Sequence, residues 1–129
     1  MRAVVTYFVA LAVMLPLDAV WLTLTGGTYR RIMGPLLKPQ FDIPAAVAFY
    51  LVYVFGVTVL VTSSASKALP AAVRGAVFGF TAYATYDLTA LSVIRDWPLS
   101  LSLVDMAWGT VLTAVASGVS VSIMNRKAA

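Results

Sequence analysis

At 129 residues, with 61% hydrophobic and only 11% charged residues, the chain has too little polar surface for a soluble globule. Its mean hydropathy of +0.93 points to lipid as the solvent for most of it. There is no cysteine and no histidine, and all five acidic residues are aspartates, which excludes disulfides, thiolate or imidazole metal sites and a histidine proton shuttle. The net charge of +4 is dispersed over loops and ends, a pattern suited to anionic lipid headgroups and not to nucleic acid.

Four segments are long and apolar enough to cross a bilayer, which takes about 20 residues. They run over 3–25, 44–62, 72–94 and 98–124, predicting one integral membrane domain over 1–129. The fold class expected is all-α, a four-helix antiparallel bundle. A barrel of this size needs eight strands, and no alternating pattern persists. The first segment reads as a span and not as a secretory signal, because no small-x-small site follows its apolar core and Asp18 and Trp21 stand there instead. Pro16 is expected to kink it. The connection GGTYRRIMGPLLKPQFDIP is long and amphipathic, as suits a headgroup-level segment, with Thr28 placed to cap a short helix that Gly34-Pro35 would end. Prolines open the second and fourth segments, where a first helical turn tolerates them. RDW is so short that the third and fourth segments must be antiparallel neighbours. Gly75 and Gly79 form a G-x-x-x-G, and Asp105, Gly109, Thr113, Ala116 and Ser120 form a small or polar stripe; these faces are expected to meet. Five basic residues on the side of the termini against four on the other favour cytoplasmic termini.

Asp42 and Asp96 fall in loops, whereas Asp18, Asp87 and Asp105 fall inside segments. Each of the three is seven residues from the boundary nearest the first or third loop, hence about 10 Å deep at 1.5 Å per residue. Intramembrane acids face the bundle interior or a wet cavity, so three at one depth predict a shared site that holds at least one proton unless a cation is bound. DAVW and DMAW repeat a D-x-x-W spacing, which predicts that Asp18 and Asp105 each adjoin the indole of their own helix, Trp21 and Trp108. Tyr83 and Tyr86 flank Asp87 in YATYDLT and complete the expected walls.

LDAVW, RRIMGPLL, TYDLT and VDMAWGTVL, with a W-P between the last two, resemble a bacterial family of small membrane proteins, domain of unknown function 2177, over nearly the whole chain. The resemblance implies a four-helix integral protein of the bacterial inner membrane and an association with membrane-lipid metabolism. It implies no established activity. Where the family pattern has an asparagine after TYDLT, this chain has Ala90.

Three functions are compatible with these residues. In the first, Asp18, Asp87 and Asp105, walled by Trp21, Trp108, Tyr83 and Tyr86, bind or move a proton, a cation or an amphiphile head group, with membrane lipid and a homodimer as partners. In the second, the three aspartates hold a divalent cation for lipid chemistry, and Arg30, Arg31 or Arg95 contacts the phosphate of a head group. In the third, the protein is a non-catalytic subunit of a lipid-modifying system.

Overall fold

The structure is a computed structural model and describes residues 1–128. Its elements are α1 (Arg2–Met33), a 3₁₀ turn (Gly34–Leu36), α2 (Ile43–Val57) continued by a π-helical turn (Thr58–Thr62), α3 (Ala68–Val93) and α4 (Leu99–Ala128). No strand occurs among the described residues, and the chain is an all-α membrane protein. Three stretches are both long and apolar enough to cross a membrane: Arg2–Leu36, Ile43–Thr62 and Leu99–Lys127. The third segment, expected to be as apolar as the others, has the length but not the composition. Arg74, Asp87 and the threonines and tyrosines of α3 lower its hydropathy, and α4 covers its polar face.

Helix α1 runs past its expected end at residue 25. Gly26 and Gly27 are helical, no separate short helix starts at Thr28, and the helix is continuous through Pro16. A glycine pair weakens a helix by about 1 kcal/mol per residue, but the extension brings Met33 into the interior and Tyr29 over the α3–α4 end. Gly34 stops the helix: its φ of +40° lies in the left-handed region, and its N–H donates to the Arg30 carbonyl. Asp42 then starts α2, its Oδ1 accepting from the Ala45 N–H at 3.1 Å.

Helix α4 is the centre of the bundle, packed on α3 along one side and on α1 along the other. Ala10 and Met14 of α1, Val54 and Val57 of α2, and Leu112 and Ala116 of α4 are fully buried in one core. Helices α3 and α4 approach backbone to backbone, as expected from their small residues. A Cβ at Gly79 would collide with the Gly109 carbonyl and Thr113, one at Gly75 with Ser117 and the Thr113 carbonyl, and one at Gly109 with the ring of Tyr83. These pairings are antiparallel, so each step up α3 is a step down α4, and Asp87 is brought to the level of Asp105.

Gly79→Ala is therefore expected to destabilise the protein by about 1–3 kcal/mol through overpacking. Gly27→Ala, where a Cβ meets nothing within 4 Å, should stabilise it by up to about 1 kcal/mol through helix propensity. Thermal unfolding in one detergent compares the two. At the start of α2, the Ala45 N–H and then Lys38 hold the Asp42 carboxyl below its ordinary value of 3.8. A lowered folded value stabilises above the ordinary range and stops doing so as pH falls through it. Hydrogen-exchange protection of the Ala45 amide should persist at neutral pH and be lost in acid, and Asp42→Asn should flatten that dependence.

Candidate functional site: two acid centres

A period of four places Thr6, Ala10, Met14 and Asp18 on one buried stripe of α1. The carboxylate of Asp18 is thereby carried to the contact with α2 and α4. Tyr50 of α2 donates its hydroxyl to Oδ2, and the Trp108 indole of α4 donates to Oδ1 at 2.8 Å. Trp21 stacks flat on Trp108, centroids 4.6 Å apart and planes 3° from parallel. The expected pairing of each aspartate with the indole of its own helix is thus corrected. The D-x-x-W indole that reaches Asp18 comes from α4, and Trp21 supports that indole from outside. The reason is directional: side chains lean towards the N-terminus of their helix. On antiparallel helices Trp21 and Trp108 therefore lean towards one another.

Asp87 and Asp105 make the second centre. Asp87 is 2% exposed, Asp105 is half-buried, and their carboxyl groups face each other within reach of a shared hydrogen bond. Oδ2 of Asp87 is buried and receives no donor from a neutral or cationic group among the described residues. The hydroxyl of Tyr29 is likewise buried, with the Trp21 side chain near it but no well-aligned hydrogen bond. Both residues line a cavity of about 210 Å³, together with Met33 of α1 and with Trp97 and Ser102 at the head of α4. Trp97 is fixed there by donating to the Ser102 hydroxyl at 2.9 Å. Ala90, one turn beyond Asp87, is buried and offers no side-chain amide.

Asp18 does not line this cavity, and it joins α4 at Trp108, one turn beyond Asp105. Among the described residues no three acids gather at metal-holding spacing. The divalent-cation set of Asp18, Asp87 and Asp105 is accordingly not formed, because Asp18 is already bound by two donors from other helices. Tyr83 packs edge-on against Tyr53 at 6.0 Å, and Tyr53 shares a hydrogen bond with Thr113 at 2.7 Å. Tyr86 lies edge-on to Trp97 at 5.8 Å. Phe49, Tyr53, Ala82, Tyr83 and Tyr86 line a second space of about 460 Å³, with Asp105 at its inner end. Arg30, Arg31 and Arg95 are exposed and line neither space; Arg30 instead borders a cleft of about 520 Å³ with Lys38 and Tyr29.

Sequence reasoning missed Tyr50, Tyr53 and Tyr29. The first two are polar groups in the most aromatic segment, FYLVY, where each hydroxyl needs a partner. Tyr29 reads as part of the loop because of the glycine pair before it.

The model of a family described as predicted membrane protein, domain of unknown function 2177, matches residues 3–122. No curated protein and no solved structure matches the chain.

Because a hydrogen bond to a charged group contributes about 1.5–3 kcal/mol, Tyr50→Phe should destabilise the bundle by that order. The loss should shrink when Asp18→Asn is already present, since the hydroxyl then meets a neutral acceptor. A double-mutant cycle on thermal unfolding measures this coupling.

Proposed function

The chain belongs to the domain of unknown function 2177 family of predicted membrane proteins, and on that premise we propose that it is a membrane-embedded binding protein whose Asp87–Asp105 pocket takes up a proton or a small cationic donor group. One observation carries the reading: a buried carboxylate oxygen that no phenol, indole, amide or cation donates to, beside a second carboxyl with which it lines one cavity. Two carboxylates in contact repel when both are ionised, and each buried ion is costly in a low dielectric. A shared proton relieves the repulsion. A bound cation relieves it equally and supplies the missing donor. An ammonium group suits the space because it brings up to three or four N–H donors and no acceptor, so each hydrogen can meet an oxygen of Asp87, Asp105 or Tyr29.

Asp18 has a different role in this reading. Its oxygens are filled by Tyr50 and Trp108, so it ties three helices together and leaves the binding to the pair. That is the part of the scaffold alternative that a specific observation favours, and it applies to one acid of the three. Catalysis with a divalent cation is not favoured, because the ligand set it needs is divided between the two centres. Five basic residues against four favour cytoplasmic termini in this reading, which puts the pocket on the side of the outer leaflet.

Methylammonium chloride at tens of millimolar is expected to raise the melting temperature of the detergent-purified protein, against a sodium chloride control of equal ionic strength. Asp87→Asn should abolish this response while the protein stays folded. A response equal in wild type and Asp87→Asn, or none in wild type, overturns the assignment. Infrared difference spectra should show a protonated carboxyl band in the unliganded protein that falls on adding methylammonium.

A further inference from the structure

Helices α2 and α3 do not pack backbone to backbone at the acid end. They meet through Tyr53, whose ring sits 5.3 Å from Phe78 and 6.0 Å from Tyr83, while α3 packs on the Thr58–Thr62 turn at the other end. The bundle is therefore split along its side, and the split is the 460 Å³ groove whose inner end is Asp105. Its outer edge is open: Phe49 is 42% exposed and Tyr86 61%. Asp105 and Tyr86 line both this groove and the acid cavity, so the two spaces are neighbours that meet at these side chains.

Resting on the reading of the acid pair as a cation site, we propose that the occupant is a long-chain primary amine of the membrane, whose chain lies in the α2–α3 groove while its ammonium head sits between Asp87 and Asp105.

Three features select this class. The groove is lined almost wholly by apolar and aromatic surface and opens towards lipid, so a chain can remain in hydrocarbon while its head reaches the acids. A water-soluble cation has no such requirement. Charge complementarity selects the head: two facing carboxylates in a low dielectric need a cation between them once their shared proton is gone, and an ammonium brings that charge together with its donors. The orphaned Oδ2 of Asp87 selects a primary amine over a quaternary one, because only an N–H can satisfy it. A phosphate-bearing head is disfavoured, since no Lys or Arg lines the cavity or the groove.

Electroneutral entry needs no charge to cross the hydrocarbon. A neutral amine, R–NH₂, takes the proton held between the two carboxyls. The O–H bond breaks, an N–H bond forms on the nitrogen lone pair, and the products are R–NH₃⁺ and two carboxylates that it bridges. Nothing else is consumed.

The test uses the full chain in phosphatidylcholine nanodiscs, with binding read from the melting temperature as hexadecylamine is added by mole fraction. Hexadecylamine should bind about tenfold more tightly than hexadecyltrimethylammonium, a difference of about 1.4 kcal/mol. Ala82→Phe, which fills the groove away from the acids, should weaken hexadecylamine about tenfold and leave the methylammonium response intact. That retained response also shows that the variant is folded; Ala82→Leu is a smaller plug if it does not fold. Asp87→Asn should lose both ligands. Unchanged hexadecylamine binding in the folded Ala82 variant, with methylammonium still bound, overturns the groove and leaves the acid-pair reading standing. Equal binding of the quaternary amine, or equal protection by phosphatidylethanolamine, overturns the head-group class. If wild type binds neither hexadecylamine nor methylammonium, the acid-pair reading falls as well.

Discussion

Helices α3 and α4 touch at Gly75, Gly79 and Gly109 with no room for a side chain, and that contact sets the geometry of the acid end. In a bilayer there is no hydrophobic gain from helix association, so close van der Waals packing of small residues must hold the pair together. Once Gly79 sits against Thr113 and the Gly109 carbonyl in an antiparallel register, the position of Asp87 opposite Asp105 follows from counting: eight residues, about two turns, from Gly79 up α3 and the same from Thr113 back along α4. The same contact shields the least apolar helix of the four. Arg74, Asp87 and the α3 hydroxyls would make that helix a poor solitary span, whereas α4 supplies a surface of Ser102, Thr113, Ser117 and Ser120 that is itself buried and polar.

The two acid centres obey one rule with opposite outcomes. In hydrocarbon every carboxylate must find donors or lose its charge. Asp18 finds two, a phenol from α2 and an indole from α4, and becomes the knot joining the helices that α3 does not touch closely. Asp87 and Asp105 find only each other, although Trp97, Ser102 and Tyr29 stand around them. A chain able to satisfy one buried acid so fully, and leaving a neighbouring pair unmet beside a cavity, differs from one merely using acids to fix helix register. A register lock would close the space between its partners.

Three of the four expected spans, the antiparallel α3–α4 hairpin and the meeting of small-residue faces were legible because each rests on a local property: hydropathy over 20 residues, a short connection, a period of four. The extent of α1 was not, since Gly26-Gly27 is a local weakness overruled by distant contacts of Tyr29 and Met33. The partition of the aspartates was not legible either. Sequence depth is a single coordinate, and Asp18, Asp87 and Asp105 share it closely; azimuth around the bundle separates them. The spacing within DAVW and DMAW identified the right residues for the wrong pairing, because lean along a helix depends on direction and the two helices run oppositely. Tyr50 lay in a segment with no acid of its own, so only a three-dimensional neighbour could reveal its purpose.

The lateral split between α2 and α3 follows from that same division of labour. Helix α2 is the shortest, and its fixed points are Tyr50 on Asp18, Tyr53 on Thr113 and the valines of the core, all directed at α1 and α4. It carries no glycine at the acid end; Gly56, its one glycine, lies towards the opposite end and faces the Phe78 ring. Bulky aromatics keep the two helices apart, and lipid is the only solvent available to fill the gap. A bundle whose acids needed sealing from the membrane would place small residues on those faces, as α3 and α4 do on theirs. Here the aromatic spacers hold open a path from the hydrocarbon to Asp105, which makes the membrane itself the natural source of whatever the pair receives.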